Sequence, residues 1–379
     1  MTQRRGTVIA GGGTGGHVVP SLQIARALTA KGHAASTIEL YGSRRGQEAV
    51  LWPTLEFPFT LLPGRGIRRS LSPGAVRANV GAVLGLVSAA LRALASFVRR
   101  RPRVVVVVGG YASFPAGLAA VMLRVPLVLV NTDAVPGAVN ALLGRFAVVN
   151  AVSFPNTHLP RAHVTGTPVR PELGGLDRSV DGQRQAREML GLPTQRPTLA
   201  AFGGSLGARR INAAVADLAG RWSDRDISIY HVAGRRDYAR FVPGRVTEGD
   251  IPGPDVALHY QVVPFEERMP ELYRAADLCV CRAGAMTVAE LLVAGVPAIL
   301  VPLPGAPRDH QTRNAEALVV AGAAIMVPDA ECTAARLEAE IAALLCDTDR
   351  LAAMGNAART LGHPDAAARV AELVDAHAR

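Results

Sequence analysis

The first element of the chain is contained in the stretch Thr7-Val8-Ile9-Ala10-Gly11-Gly12-Gly13-Thr14-Gly15-Gly16-His17, where an apolar run leads directly into a glycine turn. The other half of the chain repeats this order in Thr198-Leu199-Ala200-Ala201-Phe202-Gly203-Gly204-Ser205-Leu206-Gly207-Ala208. A strand, a glycine turn and a helix leave backbone N–H groups and the positive end of a helix facing one point, which suits a phosphate or diphosphate. One such unit in each half predicts two nucleotide-binding domains that face a central cleft.

Apolar runs alternate with helical segments on both sides of these turns. The predicted strands are 6–10, 35–41, 103–108, 126–130 and 147–153 in the first half, and 198–202, 227–232, 277–281, 297–301 and 323–327 in the second. The predicted helices are 18–31, 74–98, 115–123 and 137–145, then 209–220, 267–275, 286–294, 311–321, 333–345, 348–359 and 365–377. This alternation is typical of the α/β class and predicts two doubly wound, Rossmann-like domains. We place them at 1–160 and 161–361, and we expect a C-terminal helix within 362–379 to pack back on the first domain.

The composition indicates a globular protein and bears on its location in the cell. The chain has 379 residues, 49% of them hydrophobic, which predicts globular domains with full cores. No apolar signal core precedes the first strand, so we do not expect export. All four cysteines lie in the C-terminal half, and we predict buried, reduced thiols in the cytosol.

Charge is distributed unevenly along the chain. Residues 1–160 carry 17 Lys and Arg against 4 Asp and Glu, whereas the remainder carries 24 against 27. The first half therefore favours an anionic partner. Nucleic acid is a poor candidate, because only 4% of the residues are aromatic and no nucleic-acid-reading module is visible. An anionic membrane or a lipid diphosphate fits better.

An apolar stretch at 80–91 lies between clusters of arginine. The arginines are Arg65, Arg68 and Arg69 before it, and Arg92, Arg99, Arg100, Arg101 and Arg103 after it. Twelve apolar residues are too few to span a bilayer, which needs about 20. We predict that this helix docks on a membrane surface. The alternative is an ordinary core helix with solvated ends.

The first glycine turn also fits a dinucleotide-binding pattern. Gly11, Gly13 and Gly16 satisfy Gly-x-Gly-x-x-Gly, and Glu39 follows where such folds keep an acid for the ribose. This leaves an NAD- or FAD-dependent dehydrogenase as an alternative. His17 and Pro20 at the start of the helix count against it, as does the second glycine turn in the other half.

A further glycine turn, Gly109-Gly110-Tyr111-Ala112-Ser113, follows the valine-rich run of the first half. It is predicted to lie at the same sheet edge as the first turn. Gly12, Gly13, Gly109, Gly110, Tyr111 and Ser113 would then hold the diphosphate of an acceptor between the two turns. The alternative is that these glycines only allow close packing of strand and helix.

Together these motifs resemble the MurG family, peptidoglycan N-acetylglucosaminyltransferases that make lipid II. Besides the three glycine turns, the matching segments are 42–48, 166–170, 281–290 and 309–315. They occur in family order from residue 8 to about residue 324, and the ordered set is far more specific than any single turn. The resemblance implies a GT-B fold, in which two Rossmann-like domains face a cleft.

For the second domain the resemblance implies a site for UDP-N-acetylglucosamine. Ser205 and Arg170 would lie at the diphosphate, and Ala285, Met286 and Thr287 would contact phosphates at a helix start. Glu290 would accept hydrogen bonds from the ribose hydroxyls. Gln311 would bind sugar hydroxyls, since an amide both donates and accepts. The alternatives are a solvated helix residue for Glu290 and a loop cap for Gln311.

For the first domain the resemblance places Thr14, Gly15 and Gly16 beneath the sugar. His17 is the candidate general base, because an imidazole with an unperturbed pKa near 6.5 suits proton removal near neutral pH. The alternative is that His17 only positions the loop. Asp133 stands where the family commonly has an amide, and it would accept a sugar hydroxyl or compete for the role of base. Leu206 and His310 are further departures, since many family members have glutamine at the first position and some at the second.

The implied reaction is an inverting transfer of N-acetylglucosamine to the 4-hydroxyl of the muramoyl sugar of lipid I, carried on undecaprenyl diphosphate. We expect no cofactor and no metal, and a peripheral location on the cytoplasmic face of the membrane. The alternatives are a transferase with another acceptor, a UDP-N-acetylglucosamine 2-epimerase, and a nucleotide-binding membrane scaffold without catalysis.

Overall fold

The computed structural model describes residues 6–64, 66, 72–204, 207–241 and 257–379. The predictions for Ser205, Leu206, Arg65, Arg68 and Arg69 lie outside these residues. The chain divides into two units, one of Met1–Arg170 with His363–Arg379 and the other of Pro171–Gly362. The division falls after Arg170 rather than after residue 160, because a short strand at Ala162–Val164 still pairs within the first sheet.

The first unit is built on a parallel sheet with helices on both faces. Its described strands are β1 (Thr7–Gly11), β2 (Ile38–Ser43), β3 (Phe59–Leu62), β4 (Val104–Gly109), β5 (Leu127–Asn131), β6 (Val149–Val152) and β7 (Ala162–Val164). Its described helices are α1 (Gly15–Ala30), α2 (Glu48–Leu51), α3 (Pro73–Arg100), α4 (Phe114–Met122), α5 (Ala138–Leu143) and, from the end of the chain, α13 (Ala366–His377).

The second unit repeats this plan with a second parallel sheet. Its described strands are β8 (Thr198–Phe202), β9 (Ile227–Val232), β10 (Leu258–Val263), β11 (Leu278–Cys281), β12 (Ala298–Leu300) and β13 (Ala324–Met326). Its described helices are α6 (Val180–Met189), α7 (Arg209–Arg221), α8 (Met269–Ala275), α9 (Ala285–Ala294), α10 (His310–Val320), α11 (Ala334–Leu345) and α12 (Thr348–Leu361).

Strand order locates the ligand-binding edge of each sheet. The first sheet has the order β3-β2-β1-β4-β5-β6-β7, and the second has β10-β9-β8-β11-β12-β13. In such doubly wound sheets, ligands bind outside the carboxyl ends of the strands, at the point where the order reverses. That point lies between β1 and β4 in the first unit and between β8 and β11 in the second. The predicted fold class is therefore confirmed, and the glycine turns follow the strands at these positions.

The valine run of β4 explains why the first sheet is covered on both faces. All five residues of Val104–Val108 are fully buried. Alternate valines enter two different hydrophobic clusters, one with α1 and α13 and the other with α3 and α4. Apolar residues at every position are typical of a central parallel strand that is buried on both faces, and not of a strand with one face exposed to solvent.

The sequence prediction missed several helices and strands and misplaced the start of one helix. The structure adds β3, β7 and β10 and the helices α2 and α6, which the sequence prediction missed. Helix α1 begins at Gly15 rather than residue 18, because the glycine turn supplies the first helical residues after Thr14, whose backbone is extended.

Glu39 lies near the amino end of β2, where it pairs with Arg100 and accepts a hydrogen bond from Thr60 Oγ1 at 2.7 Å. Its carboxylate thus stabilises the packing around β2, and it does not occupy the ribose-binding position that the dehydrogenase alternative required.

Helix α13 belongs to the core of the first unit. Val370, Ala371 and Val374 are fully buried in the cluster that also contains residues of α1 and β4. Two polar contacts hold its C-terminal end: His33 Nε2 lies 2.8 Å from Asp375 Oδ1, and the Arg379 N–H donates to the Arg103 carbonyl at 3.1 Å. The last turn of the chain therefore completes the first unit.

Truncating this helix surface should destabilise the first unit alone. Val370→Ala and Val374→Ala should each lower its free energy of unfolding by about 2 kcal/mol, through lost burial and the cavity left behind. Urea unfolding followed by Trp52 fluorescence in a Trp222→Phe background reports this unit, because Trp52 and Trp222 are the two tryptophans of the chain. Val180→Ala, on an 82% exposed side chain of α6, is the control. Equal midpoints for all three variants would contradict the assignment of α13 to this core.

Helix α3 has one buried and one exposed apolar face. Ala82, Ala89, Ala93 and Phe97 are buried in the first unit, whereas the other face is an apolar stripe of residues that are each 52% to 65% exposed: Val80, Leu84, Val87, Leu91 and Val98. Among the described residues, Asn79–Arg100 is the segment that is long and apolar enough to cross a membrane by length and composition. Its inner face packs in the core of the first unit, as the core-helix alternative held, and membrane docking by the exposed face stays a prediction.

Candidate functional site

Two glycine turns come together at the reversal point of the first sheet. The strands that precede them, β1 and β4, are hydrogen-bonded neighbours, with Gly11 paired with Gly109 at their carboxyl ends. The His17 ring lies against the backbone of the second turn. A Cβ on Gly109 would lie 3.1 Å from His17 Nε2, and a Cβ on Gly110 would lie 3.1 Å from Nδ1. Both glycines also have positive φ, 116° and 77°, so the second turn both requires glycine and makes room for the imidazole.

The orientation of His17 is set from within its own turn. Its Nδ1 lies 3.2 Å from Thr14 Oγ1, its N–H donates to the Thr14 carbonyl at 3.1 Å, and its carbonyl accepts from Ser21 Oγ at 2.7 Å. Thr14 is exposed, and Gly15, Gly16 and His17 are half-buried. The predicted group of Thr14, Gly15, Gly16 and His17 therefore lies at the accessible edge of this sheet.

Other residues of the two turns face the protein. The Gly13 N–H donates to both carboxylate oxygens of Glu48 at 3.0 Å, and a Cβ on Gly12 would overlap the same carboxylate. Ser113 is fully buried and donates to the Gly110 carbonyl at 2.9 Å. The Gly13 N–H and the Ser113 hydroxyl therefore have partners within the protein, and the diphosphate-binding roles predicted for Gly12, Gly13 and Ser113 stay predictions.

Tyr111 connects the second turn to β2. Its hydroxyl donates to Ser43 Oγ at 3.0 Å, and its ring lies beside Gly13, where a Cβ would be 3.1 Å from Cε1. Its side chain is half-buried. Tyr111 therefore braces the first turn, and the predicted contact with an acceptor diphosphate stays a prediction.

The loop after β5 brings Asp133 to the same edge. Asp133 is half-buried, and its carbonyl accepts from Asn131 Nδ2 at 2.6 Å. Asn140, on α5, is a residue that the sequence did not single out. It is buried, its Nδ2 donates to Asn131 Oδ1 at 3.1 Å, and its Oδ1, which has no hydrogen-bond partner among the described residues, lies 3.2 Å from a Cβ built on Gly109. A lone asparagine in a short helix carries no sequence signal for such a position.

The second unit presents a glycine turn after β8. The Gly207 N–H donates to the Gly204 carbonyl at 2.7 Å, and Gly207 has φ of 78°. A Cβ there would lie 2.8 Å from the Ala233 carbonyl, which also accepts from Asn212 Nδ2 at 2.7 Å. His231 Nε2 lies 3.0 Å from Asn212 Oδ1, and burial lowers the pKa of His231 to about 4. A neutral, buried network thus holds the base of this turn.

The start of α9 lies beside that turn. Helix α9 follows β11, which is the sheet neighbour of β8, with Cys281 paired with Phe202. The N-cap residue of α9 is Gly284, which has no side chain, so within the described part of the chain the first-turn N–H groups at Ala285, Met286 and Thr287 receive no hydrogen bond from an N-cap side chain. These three residues are half-buried. An uncapped helix start at the reversal point of a parallel sheet favours an anionic group.

Glu290 lies one turn further along α9 and is oriented by a buried tyrosine. Tyr273 Oη donates to Glu290 Oε2 at 2.9 Å. Tyr273 is fully buried, its ring lies edge-on to Phe202 at 5.9 Å, and burial, then the Glu290 charge, raises its pKa well above the usual range. The phenol therefore stays a donor, and it fixes one oxygen of the carboxylate.

Gln311 is brought to α9 by the helix that carries it. Asn314, fully buried on α10, donates to the Ala283 carbonyl at 3.1 Å. As a result Gln311 Nε2 lies 4.0 Å from a Cβ built on Gly284, while its Oε1 accepts from the Leu303 N–H at 3.0 Å. Gln311 therefore caps a loop, as the alternative held, and also directs its amide nitrogen toward the start of α9.

Arg170, the last residue of the first unit, is half-buried. Its predicted contact with the diphosphate stays a prediction.

Comparisons with known proteins match both units. The glycosyltransferase family 28 N-terminal domain matches residues 7–151, and the C-terminal domain of that family matches residues 198–370. Two relatives are named UDP-N-acetylglucosamine--N-acetylmuramyl-(pentapeptide) pyrophosphoryl-undecaprenol N-acetylglucosamine transferase. The one from Desulforudis audaxviator is 38% identical over 97% of both chains. The one from Nocardioides sp. is 40% identical over 97% of this chain and 96% of its own. This chain belongs to glycosyltransferase family 28.

Solved structures agree with this family 28 assignment. The Acinetobacter baumannii MurG crystal structure matches with a TM-score of 0.74 and 28% identity, covering 98% of this chain and 99% of its own. The calicheamicin glycosyltransferase CalG4 matches with a TM-score of 0.64 at 16% identity, covering 99% and 98%. A UDP-N-acetylglucosamine 2-epimerase from Neisseria meningitidis matches with a TM-score of 0.61 at 14% identity, covering 97% and 98%. The last two show the fold alone, whereas the resemblance to the MurG family is confirmed.

The cysteines of this family 28 chain are free thiols. Cys279, Cys281 and Cys332 are buried, and burial raises the pKa of Cys332 to about 11. Cys346 is exposed, which corrects the prediction that all four are buried, because it follows the end of α11.

Within the described part of the chain, no three His, Cys, Asp or Glu side chains are placed to hold a metal ion. Two Asp-x-Asp sequences, 224–226 and 347–349, have structural partners. Asp226 pairs with Arg196 at 2.6 Å before β9, and Asp347 caps α12 by accepting from the Arg350 N–H at 2.9 Å. Neither lies in the loops after β8 or β11, where the donor contacts are predicted.

Proposed function

We propose that this family 28 chain transfers N-acetylglucosamine from UDP-N-acetylglucosamine to the 4-hydroxyl of the muramoyl sugar of lipid I, with inversion, and so forms lipid II. The observation that carries the proposal is the identity of 38% and 40% to two transferases whose names state this donor and this acceptor, over nearly the full length of each chain. The layout of the two sheets supports it, since each has a glycine turn at its reversal point.

The donor is assigned to the reversal point of the second sheet. The uncapped start of α9, with Thr287, would take phosphate oxygens, because a helix start and a hydroxyl are good partners for a diphosphate. Glu290, held by Tyr273, would accept from the ribose diol. Gln311, whose amide nitrogen points toward the same helix start, would donate to the sugar. Ser205 is assigned to the diphosphate from its motif alone.

The acceptor is assigned to the reversal point of the first sheet. The 4-hydroxyl oxygen forms a bond to the anomeric carbon while the bond from that carbon to the β-phosphate oxygen breaks. The hydroxyl proton passes to a base, for which His17 is the first candidate and Asp133 the second. UDP leaves with the bonding electron pair, and its added charge is stabilised by the helix start and the polar groups around it. We propose that no metal or other cofactor takes part.

The test of this function uses two acceptors. UDP release should require a lipid I analogue, and an analogue whose muramoyl sugar lacks the 4-hydroxyl should give none. Incubation with UDP-N-acetylglucosamine alone should give no UDP-N-acetylmannosamine, the product of a 2-epimerase. Release that is equally fast with the 4-deoxy analogue would overturn the proposed acceptor position.

We further propose that the chain binds the cytoplasmic face of the membrane through α3. Its apolar stripe is contiguous, and Arg77, Arg92 and Arg99 are exposed on the same helix. Apolar side chains flanked by arginine suit an interface with anionic lipid, where the acceptor is embedded. Arg100 is engaged by Glu39 and is left out of this surface.

Removing the stripe should release the protein from vesicles. Leu84→Ser, Val87→Ser and Leu91→Ser together should lower partition onto anionic vesicles by about 1,000-fold or more, since each side chain contributes about 1.5 kcal/mol or more when fully buried. Leu86 also belongs to the predicted apolar stretch 80–91, but its side chain is half-buried and is left intact. Val180→Ser, Met189→Ser and Val320→Ser, all on exposed side chains of the second unit, form the matched control. Co-sedimentation should fall only in the first triple variant, with UDP binding unchanged; equal co-sedimentation would refute docking through α3.

A further inference from the structure

We propose that Glu48 is a positioning residue for the glycine turn that carries His17, and that it acts by occupying a carboxylate pocket built from backbone. This inference rests on the proposed function for its kinetic part. Glu48 is the first residue of α2 and is fully buried. It lies in the segment 42–48, which no step of the proposed reaction uses.

The Glu48 carboxylate joins two loops that are far apart in sequence. Its Oε1 accepts from the Gly13 N–H at 3.0 Å and from the Ser43 N–H at 2.8 Å, and its Oε2 accepts from the Gly13 N–H at 3.0 Å. Gly13 follows β1 and Ser43 ends β2. The carboxylate therefore holds together the carboxyl ends of two neighbouring strands, and its donors are backbone groups that no side-chain substitution removes.

Three glycines make the space for this side chain. A Cβ on Gly12 or on Gly46 would overlap the carboxylate oxygens, and a Cβ on Gly42 would lie 2.6 Å from Glu48 Cγ. Gly12 and Gly46 lie in the loops after β1 and β2, and Gly42 lies in β2 itself. The pocket is thus shaped for one buried carboxylate, and a larger residue at any of the three positions would expel it.

The charge of Glu48 decides which backbone groups of the turn remain for a ligand. A buried carboxylate bonded to the Gly13 N–H disfavours a second anion at that N–H. A diphosphate at this edge is then left backbone groups of the turn other than the Gly13 N–H. The same bond fixes Gly13 at φ of 94°, and Thr14, the next residue, holds both the His17 N–H and its Nδ1.

The second glycine turn is tied to the same carboxylate. Ser43 donates its N–H to Glu48, and Ser43 Oγ accepts from Tyr111 Oη at 3.0 Å. The Tyr111 ring in turn lies against Gly13. Glu48 therefore sets the relative position of the two turns between which the His17 ring lies.

The test compares Glu48→Gln with Glu39→Gln. Both residues are buried glutamates of the first unit, and Glu39 contacts Arg100 and Thr60 instead of a glycine turn. Glutamine at position 48 keeps the size of the side chain but sets an NH2 group against a backbone N–H. Loss of a hydrogen bond to a charged group corresponds to about a 10- to 100-fold effect. Glu48→Gln should lower kcat with the lipid I analogue by that factor and leave the KM for UDP-N-acetylglucosamine unchanged.

A second measurement does not depend on turnover. In protein labelled with 13C at histidine Cε1, and with the His17 signal assigned through His17→Gln, Glu48→Gln should shift the His17 resonance while Glu39→Gln leaves it in place. Urea midpoints from Trp52 fluorescence report whether the two variants are folded to a similar extent. If the wild type forms no lipid II, the proposed function fails, and the resonance alone decides the role of Glu48. An unmoved His17 signal in folded Glu48→Gln, or an equal shift in Glu39→Gln, would overturn the proposal.

Discussion

Replacing His17 with alanine should lower kcat for N-acetylglucosamine transfer by about 10²–10⁴-fold, the usual contribution of a general base. The imidazole lies against Gly109 and Gly110 and is oriented by Thr14, so it is fixed at the reversal point of the first sheet. The variant loses the proton acceptor but keeps the glycine turn, because the Thr14 carbonyl bonds the backbone N–H at this position. The KM for UDP-N-acetylglucosamine should stay unchanged, since its site is assigned to the second unit.

Asp133→Asn and His158→Ala are the comparisons for His17→Ala. His158 is exposed in the first unit and should be replaceable without effect. If Asp133 is the base, Asp133→Asn carries the large loss in kcat and His17→Ala a small one. Initial rates at saturating donor and acceptor separate the two assignments. A His17→Ala enzyme with wild-type kcat would remove this residue from the proton transfer.

Replacing Glu290 with alanine should raise the KM for UDP-N-acetylglucosamine by about 10- to 100-fold, which corresponds to the loss of hydrogen bonds to a charged acceptor. Tyr273 fixes one oxygen of this carboxylate at 2.9 Å, so the carboxylate can accept ribose hydroxyls without being ordered first. The change in kcat should be smaller, because the ribose lies away from the bond that breaks. Glu188→Ala, on an exposed side chain of α6, is the control.

Donor analogues test whether Glu290 acts on the ribose. Removing one ribose hydroxyl from UDP-N-acetylglucosamine should raise KM for the wild type and have little further effect on Glu290→Ala, since the two changes remove one interaction. Isothermal titration of UDP and deoxy-UDP gives the same comparison without turnover. If the effects of the deoxy donor and of Glu290→Ala on KM are additive, the ribose does not contact Glu290.

Local sequence patterns predict the elements that depend on neighbours in the chain. The all-valine run of β4 and the glycine turns after β1, β4 and β8 are such cases, because strand burial and turn geometry are encoded within a few residues. The reversal points then follow from strand order. This is why the edges that carry His17 and α9 could be expected before the structure.

The residues whose roles the sequence misplaces or misses depend on contacts between segments that are distant in the chain. Glu48 takes the Gly13 N–H only because α2 packs beneath a turn 35 residues earlier. Gln311 points toward α9 because Asn314 ties α10 to the Ala283 carbonyl. Glu39 fits a dinucleotide pattern by spacing, yet Arg100, from the end of α3, holds it within the sheet. None of these contacts has a local sequence signal.

Transfer of label from UDP-N-acetylglucosamine to a lipid I analogue, in the presence of EDTA, is the decisive measurement of the proposed activity. We expect a labelled, β-linked disaccharide lipid with one UDP released per sugar transferred, at a rate that EDTA does not lower. UDP-N-acetylglucosamine binding without any labelled lipid would contradict it and point to a different acceptor.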